Sequence, residues 1–259
     1  MNDEREAKEM AGLDSTCRAL IEAGRWDELM MHLNERINHD RNNVLLWCNR
    51  GRLWLRRHAY QMALRDFEEA LRLDSHCVRA YLGCGDVHLE LGHLGDALAA
   101  YNEAISLAPS HAPGYWSRGK VYLEENRTTD AISEFSRAVD LAPGWALPYF
   151  WRAFARQDVG DFHGALSDYD AFLRQEHEHS GLMAEAYGAR GFIYKTLGLS
   201  QQSIAEYNKE LQLNSRSAIA YLGRGRALEL AGEHQQAAED FRRALDIDPC
   251  ILDEESEQS

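Results

Sequence analysis

The chain is poor in the features that mark secreted, membrane-embedded or zinc-binding proteins. Its 259 residues include five cysteines, an odd number with no Cys-x-x-Cys pair, which argues against a disulfide framework or a zinc site and favours a reducing compartment. No apolar stretch reaches the roughly 18 residues of a membrane span, and the N-terminus lacks the apolar run of a secretory signal. We therefore expect a cytoplasmic protein with no membrane partner.

Basic residues are also scarce. Against 42 acidic residues there are 28 lysines and arginines, giving a net charge of −14. Binding to nucleic acid needs clustered lysine and arginine, so we expect no nucleic-acid partner. Such acidity is typical of a long surface that stays soluble.

Signatures of catalysis are missing from the sequence as well. It has no glycine-rich phosphate loop, no His-Glu-x-x-His and no Gly-x-Ser-x-Gly. His177 and His179 are two residues apart in a polar segment, whereas a metal site needs three or four converging ligands. We predict no enzyme activity, no cofactor and no metal site.

What the sequence does contain is a period of 34 residues. Aromatic, glycine and alanine side chains recur at this spacing in four sets: Trp47, Tyr81, Tyr115 and Tyr149; Gly51, Gly85 and Gly119, followed by Ala153; Ala63, Ala97, Ala131 and Ala165; Phe67, Tyr101, Phe135 and Tyr169. A fixed period of this length indicates an array of helix–turn–helix repeats.

Six units follow from this period, at 44–77, 78–111, 112–145, 146–183, 184–217 and 218–251. We number positions from the first residue of each unit. The first half of a unit is predicted to form helix A and the second half helix B. The residues near position 15 suit a left-handed turn between them: His58, Gly92, Asn126, Gly160, Gly198 and Gly232.

This pattern resembles the tetratricopeptide repeat family. The resemblance implies an all-α fold, a right-handed α-solenoid superhelix of helix–turn–helix repeats whose helices A line a concave, protein-binding face. Residues 1–43 are similar to a decayed repeat, which we interpret as two capping helices at 3–23 and 26–38, with a kink at Gly12. Residues 252–259 form an acidic segment that we expect to be disordered.

Two features break the regularity. Tyr149 and Tyr187 are 38 residues apart, and we place the four extra residues in a polar loop at 175–181. After the last unit we expect no capping helix, so that Phe241 and Leu245 stay partly uncovered unless Ile251 and Leu252 fold back over them; the alternative is that this end docks on another chain or on a second copy.

Charges at two positions vary together among the units. Position 7 is arginine in five units (Arg50, Arg118, Arg152, Arg190, Arg224), and position 23 of the same units is a carboxylate (Asp66, Glu134, Asp168, Glu206, Asp240). The second unit has Cys84 and Ala100 instead, so that both charges are absent together. We predict an ion pair between helices A and B, with ligand binding by these arginines as the alternative.

Positions 2, 5, 6, 9, 12 and 13 of helix A are predicted to face the concave groove. In units three to five they include five aromatic residues, Trp116, Phe150, Trp151, Phe154 and Phe192. Aromatic side chains beside basic ones are typical anchors of interfaces, and Arg52, Lys120 and Arg226 are the basic residues that would set the polarity of a bound peptide or helix. The alternative is that the rings pack between neighbouring helices.

A clamp for acidic C-termini, known from a subset of the family, is not expected here. Asn49, Arg50 and Arg79 match parts of it, but Asp14 and Gly83 stand where the clamp requires lysine and arginine.

The sequence thus predicts a non-catalytic scaffold that binds a protein or peptide partner in its concave groove. The first alternative is a structural subunit that docks through its C-terminal repeat and convex face, with self-association as one form of such docking. The second is an enzyme or a regulator with a small ligand.

Overall fold

The computed structural model describes residues 14–176 and 180–251, and within these residues it contains helices and turns but no β-strand. The chain divides into two units, at residues 1–143 and 144–259. The repeat pattern predicts pairs of helices joined by a short turn, and this is the arrangement found in both units.

In the first unit a pair of short N-terminal helices precedes three repeats. Its helices are α1 (Ser15–Glu22), α2 (Trp26–His39), α3 (Val44–Arg56), α4 (Tyr60–Leu73), α5 (Val78–Glu90), α6 (Leu94–Leu107), α7 (Ala112–Glu124) and α8 (Thr128–Leu141). Helix α2 matches the helix predicted at 26–38, whereas α1 begins at Ser15 with the extended Asp14 as its N-cap, so the helix predicted at 3–23 does not continue through Asp14. Gly12 and residues 1–13 lie outside the described part.

In the second unit three further pairs follow. Its helices are α9 (Ala146–Asp158), α10 (Phe162–Gln175), α11 (Ser180–Thr196), α12 (Ser200–Leu213), α13 (Ala218–Leu230) and α14 (His234–Ile247). In each unit, every helix A packs on the helix B that follows it.

Every predicted turn residue has a left-handed backbone. The φ angles at position 15 are 56° at His58, 72° at Gly92, 57° at Asn126, 77° at Gly160, 74° at Gly198 and 81° at Gly232. At Gly92 the amide donates to the Leu89 carbonyl at 2.9 Å and the next amide, of His93, donates to the His88 carbonyl at 2.8 Å. These two bonds close helix A in a Schellman motif and turn the chain into helix B.

The helix pairs approach closely where glycine meets an aromatic ring. A Cβ atom at Gly85 would lie 2.4 Å from the Tyr101 ring, and one at Gly83 would lie 2.4 Å from the Phe67 ring. Both rings are fully buried. Gly83 is therefore required for the packing of α5 against the preceding helix α4.

All five predicted ion pairs between position 7 and position 23 are present. Arg50 and Asp66 form two hydrogen bonds of 2.7 Å, Arg190 and Glu206 are 3.0 Å apart, and the arginines at 118, 152 and 224 pair in the same way. A third partner was not predicted. Arg50 also donates to Asn34 at 2.8 Å, and Arg118, Arg190 and Arg224 likewise donate to the preceding helix B, at Asn102, Asp170 and Asn208. These four arginines therefore tie their own helix pair to the preceding helix.

The four extra residues before Tyr187 do not form the polar loop that we predicted. Helix α11 begins at Ser180 and has 17 residues, whereas the other helices A of the six repeats have 13. The insertion therefore adds about one turn to helix A, because the four residues from Ser180 to Met183 extend it at its N-terminal end. His177 and His179 lie outside the described residues.

The end of the described chain covers part of the last helix. Ile251 is 5% exposed and packs in a cluster with Leu222, Ala244 and Phe241. The expectation that Ile251 folds back is thus confirmed, while Leu245 stays 37% exposed. Residues 252–259, the expected disordered segment, lie outside the described part.

Candidate functional site

The helix A positions that we assigned to the groove fall into two classes. Position 9 is open in every repeat and carries Arg52, Asp86, Lys120, Phe154, Phe192 and Arg226, all half-buried or exposed. Positions 5 and 6 are mostly closed: Cys48, Asn49 and Ser117, for example, are buried. The period of a helix assigns positions 5, 6 and 9 to one face, but of these three only position 9 is accessible in all six repeats; positions 12 and 13, at the end of helix A, are accessible throughout as well.

Phe150, at position 5, is not a groove residue. It is 5% exposed, and its ring centroid lies 5.2 Å from that of Phe172 and 5.9 Å from that of Tyr169. Phe172 stands at position 27, where most units have alanine, and Phe150 packs against this larger side chain. The alternative that rings pack between helices is therefore correct for Phe150.

Trp151 and Phe154 form an aromatic surface on α9. Their ring centroids are 6.1 Å apart in an edge-to-face arrangement, and Phe154 is 49% exposed. Trp151 is half-buried and also contacts Phe150 at 5.6 Å. An exposed ring that rests on a buried aromatic cluster is held in place at little cost in conformational entropy, as an interface anchor requires.

In the first unit, the predicted pair on α7 also comes together. The ammonium of Lys120 lies 4.6 Å from the Trp116 ring centroid, a cation–π geometry. Both side chains are half-buried, as is Arg52 on α3. These residues combine an apolar and a basic group on one helix face.

Phe192, on α11, is 42% exposed, and the Lys195 ammonium lies 5.1 Å from its ring centroid. Burial lowers the pKa of Lys195, and the positive charge of Arg226 lowers it further. Arg226 is half-buried on α13. The structure thus brings Lys195 and Arg226 into electrostatic contact beside Phe192.

A cleft of about 670 Å³ opens next to Phe192. Helices α11, α12 and α13 line it, and Glu185 and Glu210 supply its charged groups. Glu210 is buried at position 27, where four of the other units have alanine. The substitution was visible in the sequence, but the period of 34 does not reveal that a cleft forms beside it.

Two groups of side chains in the described residues offer ligand atoms within 4.8 Å of one another: Asp14, Cys17 and His32, and His88, His93 and Asp96. In the first group, Asp14 accepts hydrogen bonds from the Cys17 amide at 2.8 Å and from Arg36 at 2.7 Å. Asp14 is therefore an ion-paired helix cap. In the second group two of the three side chains are exposed, and we assign no metal to either group.

Comparison with protein families decides the identity of the repeats. The family model described as "Tetratricopeptide repeat" matches residues 48–112, 85–144 and 189–249, which together cover more than half of the chain. The chain belongs to the tetratricopeptide repeat family. The predicted all-α solenoid of helix–turn–helix repeats is thereby confirmed, and with it the general architecture of a protein-interaction scaffold.

Solved tetratricopeptide repeat structures share this fold. MamA matches with 22% identity and a TM-score of 0.61 over 68% of this chain and 94% of its own. PilF of Pseudomonas aeruginosa matches with 15% identity and a TM-score of 0.69 over 89% of this chain and 98% of its own. YrrB, described as having an unusual peptide-binding site, matches with 20% identity and a TM-score of 0.57 over 73% and 95%.

No curated protein sequence is significantly similar to this chain. Among the described residues, no helix has both the length and the apolar character that crossing a bilayer requires.

Proposed function

We propose that this tetratricopeptide repeat chain is a non-catalytic scaffold that binds a peptide or helix of a partner protein through the open faces of its A helices. The main support for this proposal is the exposure of Phe154: its ring is 49% exposed although it packs edge-to-face against Trp151. Large exposed rings on a rigid surface are typical of protein interaction sites.

The other predicted groove residues extend this proposal within each unit. In the first unit Trp116 would contribute an apolar contact, while Lys120 and Arg52 would contribute positive charge. In the second unit Phe192 would add an anchor and Arg226 a cation. A partner segment with apolar and acidic side chains matches this combination, because the cations would pair with carboxylates at the edge of an apolar contact.

The peptide-binding site of YrrB shows that a protein of this fold can recognise a peptide, and it supports the proposal by analogy of fold. All five cysteines of this chain are free thiols, which supports a reducing compartment such as the cytoplasm.

The test is a capture experiment from a lysate of the source cells. Wild-type protein is compared with a Trp151→Ala, Phe154→Ala variant and with a Met31→Ala, Met62→Ala control, because Met31 and Met62 are 59% and 40% exposed in the first unit. Circular dichroism first confirms that all three proteins are folded. We expect partners that the wild type and control retain and the aromatic variant loses; identical partners for all three proteins would contradict the proposal.

A structural subunit that docks through its last repeat is the second candidate, and one observation favours it. Leu245 on α14 is 37% exposed, and Phe241 on the same helix is half-buried. If this surface docks on another chain or on a second copy, Leu245→Asp will weaken assembly. Sedimentation over a range of concentrations measures self-association, and a mass that stays monomeric in wild type and variant alike excludes a second copy as the occupant.

A further inference from the structure

Glu210 occupies a position that is otherwise reserved for alanine or phenylalanine. In the other five repeats, position 27 holds Ala70, Ala104, Ala138, Phe172 and Ala244, all at most 1% exposed. Glu210 is itself only 8% exposed. A carboxylate at an apolar packing position is unfavourable unless its oxygens are hydrogen-bonded or paired with a cation.

Only one oxygen of Glu210 has such a partner. Oε1 accepts a hydrogen bond of 2.8 Å from the Ser217 hydroxyl, whereas Oε2 has no hydrogen-bond partner among the described residues. A Cβ atom at position 188 would lie 2.5 Å from Oε2. Gly188 therefore leaves room for the carboxylate against α11.

The cleft beside Glu210 has apolar walls and negative charge. Its walls include Phe192, Tyr207, Leu213 and Ile219, and Glu185 is an exposed second carboxylate. The described residues that line the cleft include no lysine or arginine. The cleft volume of about 670 Å³ is in the range of known ligand sites. It is larger than the volume of a single bound side chain.

The geometry distinguishes between two kinds of cation. A guanidinium group donates a fork of hydrogen bonds and pairs best with both oxygens of a carboxylate. In Glu210 Oε1 already accepts from Ser217, so a guanidinium fork would need Oε1 to accept a second hydrogen bond, whereas a single donor on Oε2 completes the pairing of the carboxylate. An ammonium group is a compact point charge on a long apolar stem, and such a stem packs well along apolar walls.

We propose that this cleft binds a lysine side chain of a partner polypeptide, with the ammonium group on Glu210 and the aliphatic stem against Phe192, Tyr207 and Ile219. The proposal rests on the proposed function, since the lysine belongs to the bound partner. It adds a specificity site to the second unit. A partner segment would present lysine here, whereas Arg52 and Lys120 in the first unit and Arg226 in the second favour acidic side chains.

The test uses defined probes and nuclear magnetic resonance on the full-length protein. One pair of probes is n-pentylamine and 1-pentanol, which share a carbon chain and differ in charge. A second pair is the peptide acetyl-Ala-Ile-Lys-Ile-Ala-amide and the same peptide with norleucine or arginine in place of lysine. The amide signals of Gly188, Ala189 and Ile219 report on binding. The variants are Glu210→Gln and Gly188→Ala, with Glu239→Gln as a control that removes an exposed carboxylate elsewhere.

We expect the amine and the lysine peptide to shift these signals, and the alcohol and the norleucine peptide to shift them at least about tenfold more weakly, as the loss of a charge-assisted hydrogen bond predicts. Glu210→Gln should weaken the binding of the amine and of the lysine peptide by a similar factor, whereas Glu239→Gln should leave their binding unchanged. Gly188→Ala keeps the charge but displaces Oε2, and should weaken their binding too.

Equal binding of charged and neutral probes, equal binding to wild type and Glu210→Gln, or stronger binding of the arginine peptide would each overturn the proposal. If pentylamine binds and the lysine peptide does not, the cleft is a site for a free amine, and this outcome would also overturn the proposal. None of these outcomes depends on the aromatic surface of α9, so failure of this proposal is distinguishable from failure of the capture experiment.

Discussion

Arg118 and Glu134 form a two-bonded ion pair, with nitrogen–oxygen distances of 2.8 and 3.0 Å, that joins helices α7 and α8. Arg118 also donates to Asn102 of the preceding repeat at 2.7 Å. One guanidinium thus connects three helices, and its side chain is only 19% exposed. Loss of either partner leaves a largely buried charge without its counter-ion.

This pair can be measured by a double-mutant cycle. Arg118→Ala or Glu134→Ala alone should each lower the free energy of unfolding by about 3 kcal/mol. The double variant should lose clearly less than the sum of the two, because no unpaired charge remains. Urea denaturation followed by circular dichroism gives the three values, and strict additivity would show that the pair contributes nothing.

The left-handed turns predict opposite effects of one substitution at two neighbouring glycines. Gly92 has a φ of 72°, whereas Gly95 lies inside α6, and a Cβ atom would meet nothing within 4 Å at either position. Gly92→Ala should therefore destabilise by about 1 kcal/mol through backbone strain alone. Gly95→Ala should stabilise by about 0.5–1 kcal/mol. Thermal unfolding of both variants checks the difference in sign.

Phe150 and Phe154 should respond oppositely to truncation, although they are one helical turn apart. Phe150→Ala removes a buried ring and should cost about 3–5 kcal/mol of stability. Phe154→Ala should change stability by no more than about 0.5 kcal/mol but reduce partner capture. Urea denaturation and capture with the two single variants would contradict this assignment if Phe154→Ala proved the more destabilising.

Glu210 should make stability depend on pH. Burial raises its pKa above the ordinary 4.5, the Ser217 hydrogen bond opposes this rise, and the nearby Glu185 adds to it. A carboxyl group with a raised folded-state pKa stabilises the fold below its unfolded pKa, and this contribution is lost as the pH rises through the folded value. Glu210→Gln should therefore be more stable than wild type at pH 7.

The same variant should lose this advantage as the pH falls to about 4, where the wild-type carboxyl is protonated. Thermal unfolding of both proteins between pH 4 and pH 8 measures the difference, with Glu239→Gln as the exposed control. A constant difference over this range would show that the carboxyl of Glu210 is not the group responsible.

Thiol reactivity should reflect burial. Cys250 is exposed, whereas Cys17, Cys48, Cys77 and Cys84 are buried. One thiol per native chain should react rapidly with a chromogenic disulfide reagent, and all five should react after unfolding in denaturant. Cys250→Ser should remove the rapid phase. A rapid phase that persists in this variant would mean that the repeats open more readily than the packing indicates.

The sequence predicted the repeats, the turns and the ion pairs because each depends on contacts inside one repeat or between neighbours. Gly85 meets Tyr101 in the same way wherever the period holds. It did not predict the additional N-terminal turn of α11, because four extra residues fit either a loop or one more helical turn. It misplaced Phe150, because helical period assigns a face but not the volume that Phe172 fills. The cleft at Glu210 was missed because it arises where two departures from the repeat pattern come together, namely Glu210 in place of alanine and the longer helix α11.

Photo-crosslinking from the aromatic surface of Trp151 and Phe154 is the most direct test of whether a partner protein binds there. p-Benzoylphenylalanine replaces Phe154 in one variant and Met62, which is 40% exposed, in another, and both are irradiated in lysate. If a partner binds at Phe154, a protein adduct forms from position 154 and not from position 62. An excess of wild-type protein without the photo-crosslinker abolishes this adduct. Recovery of a captured partner with no adduct at position 154, or with the same adduct at both positions, would contradict binding at Phe154.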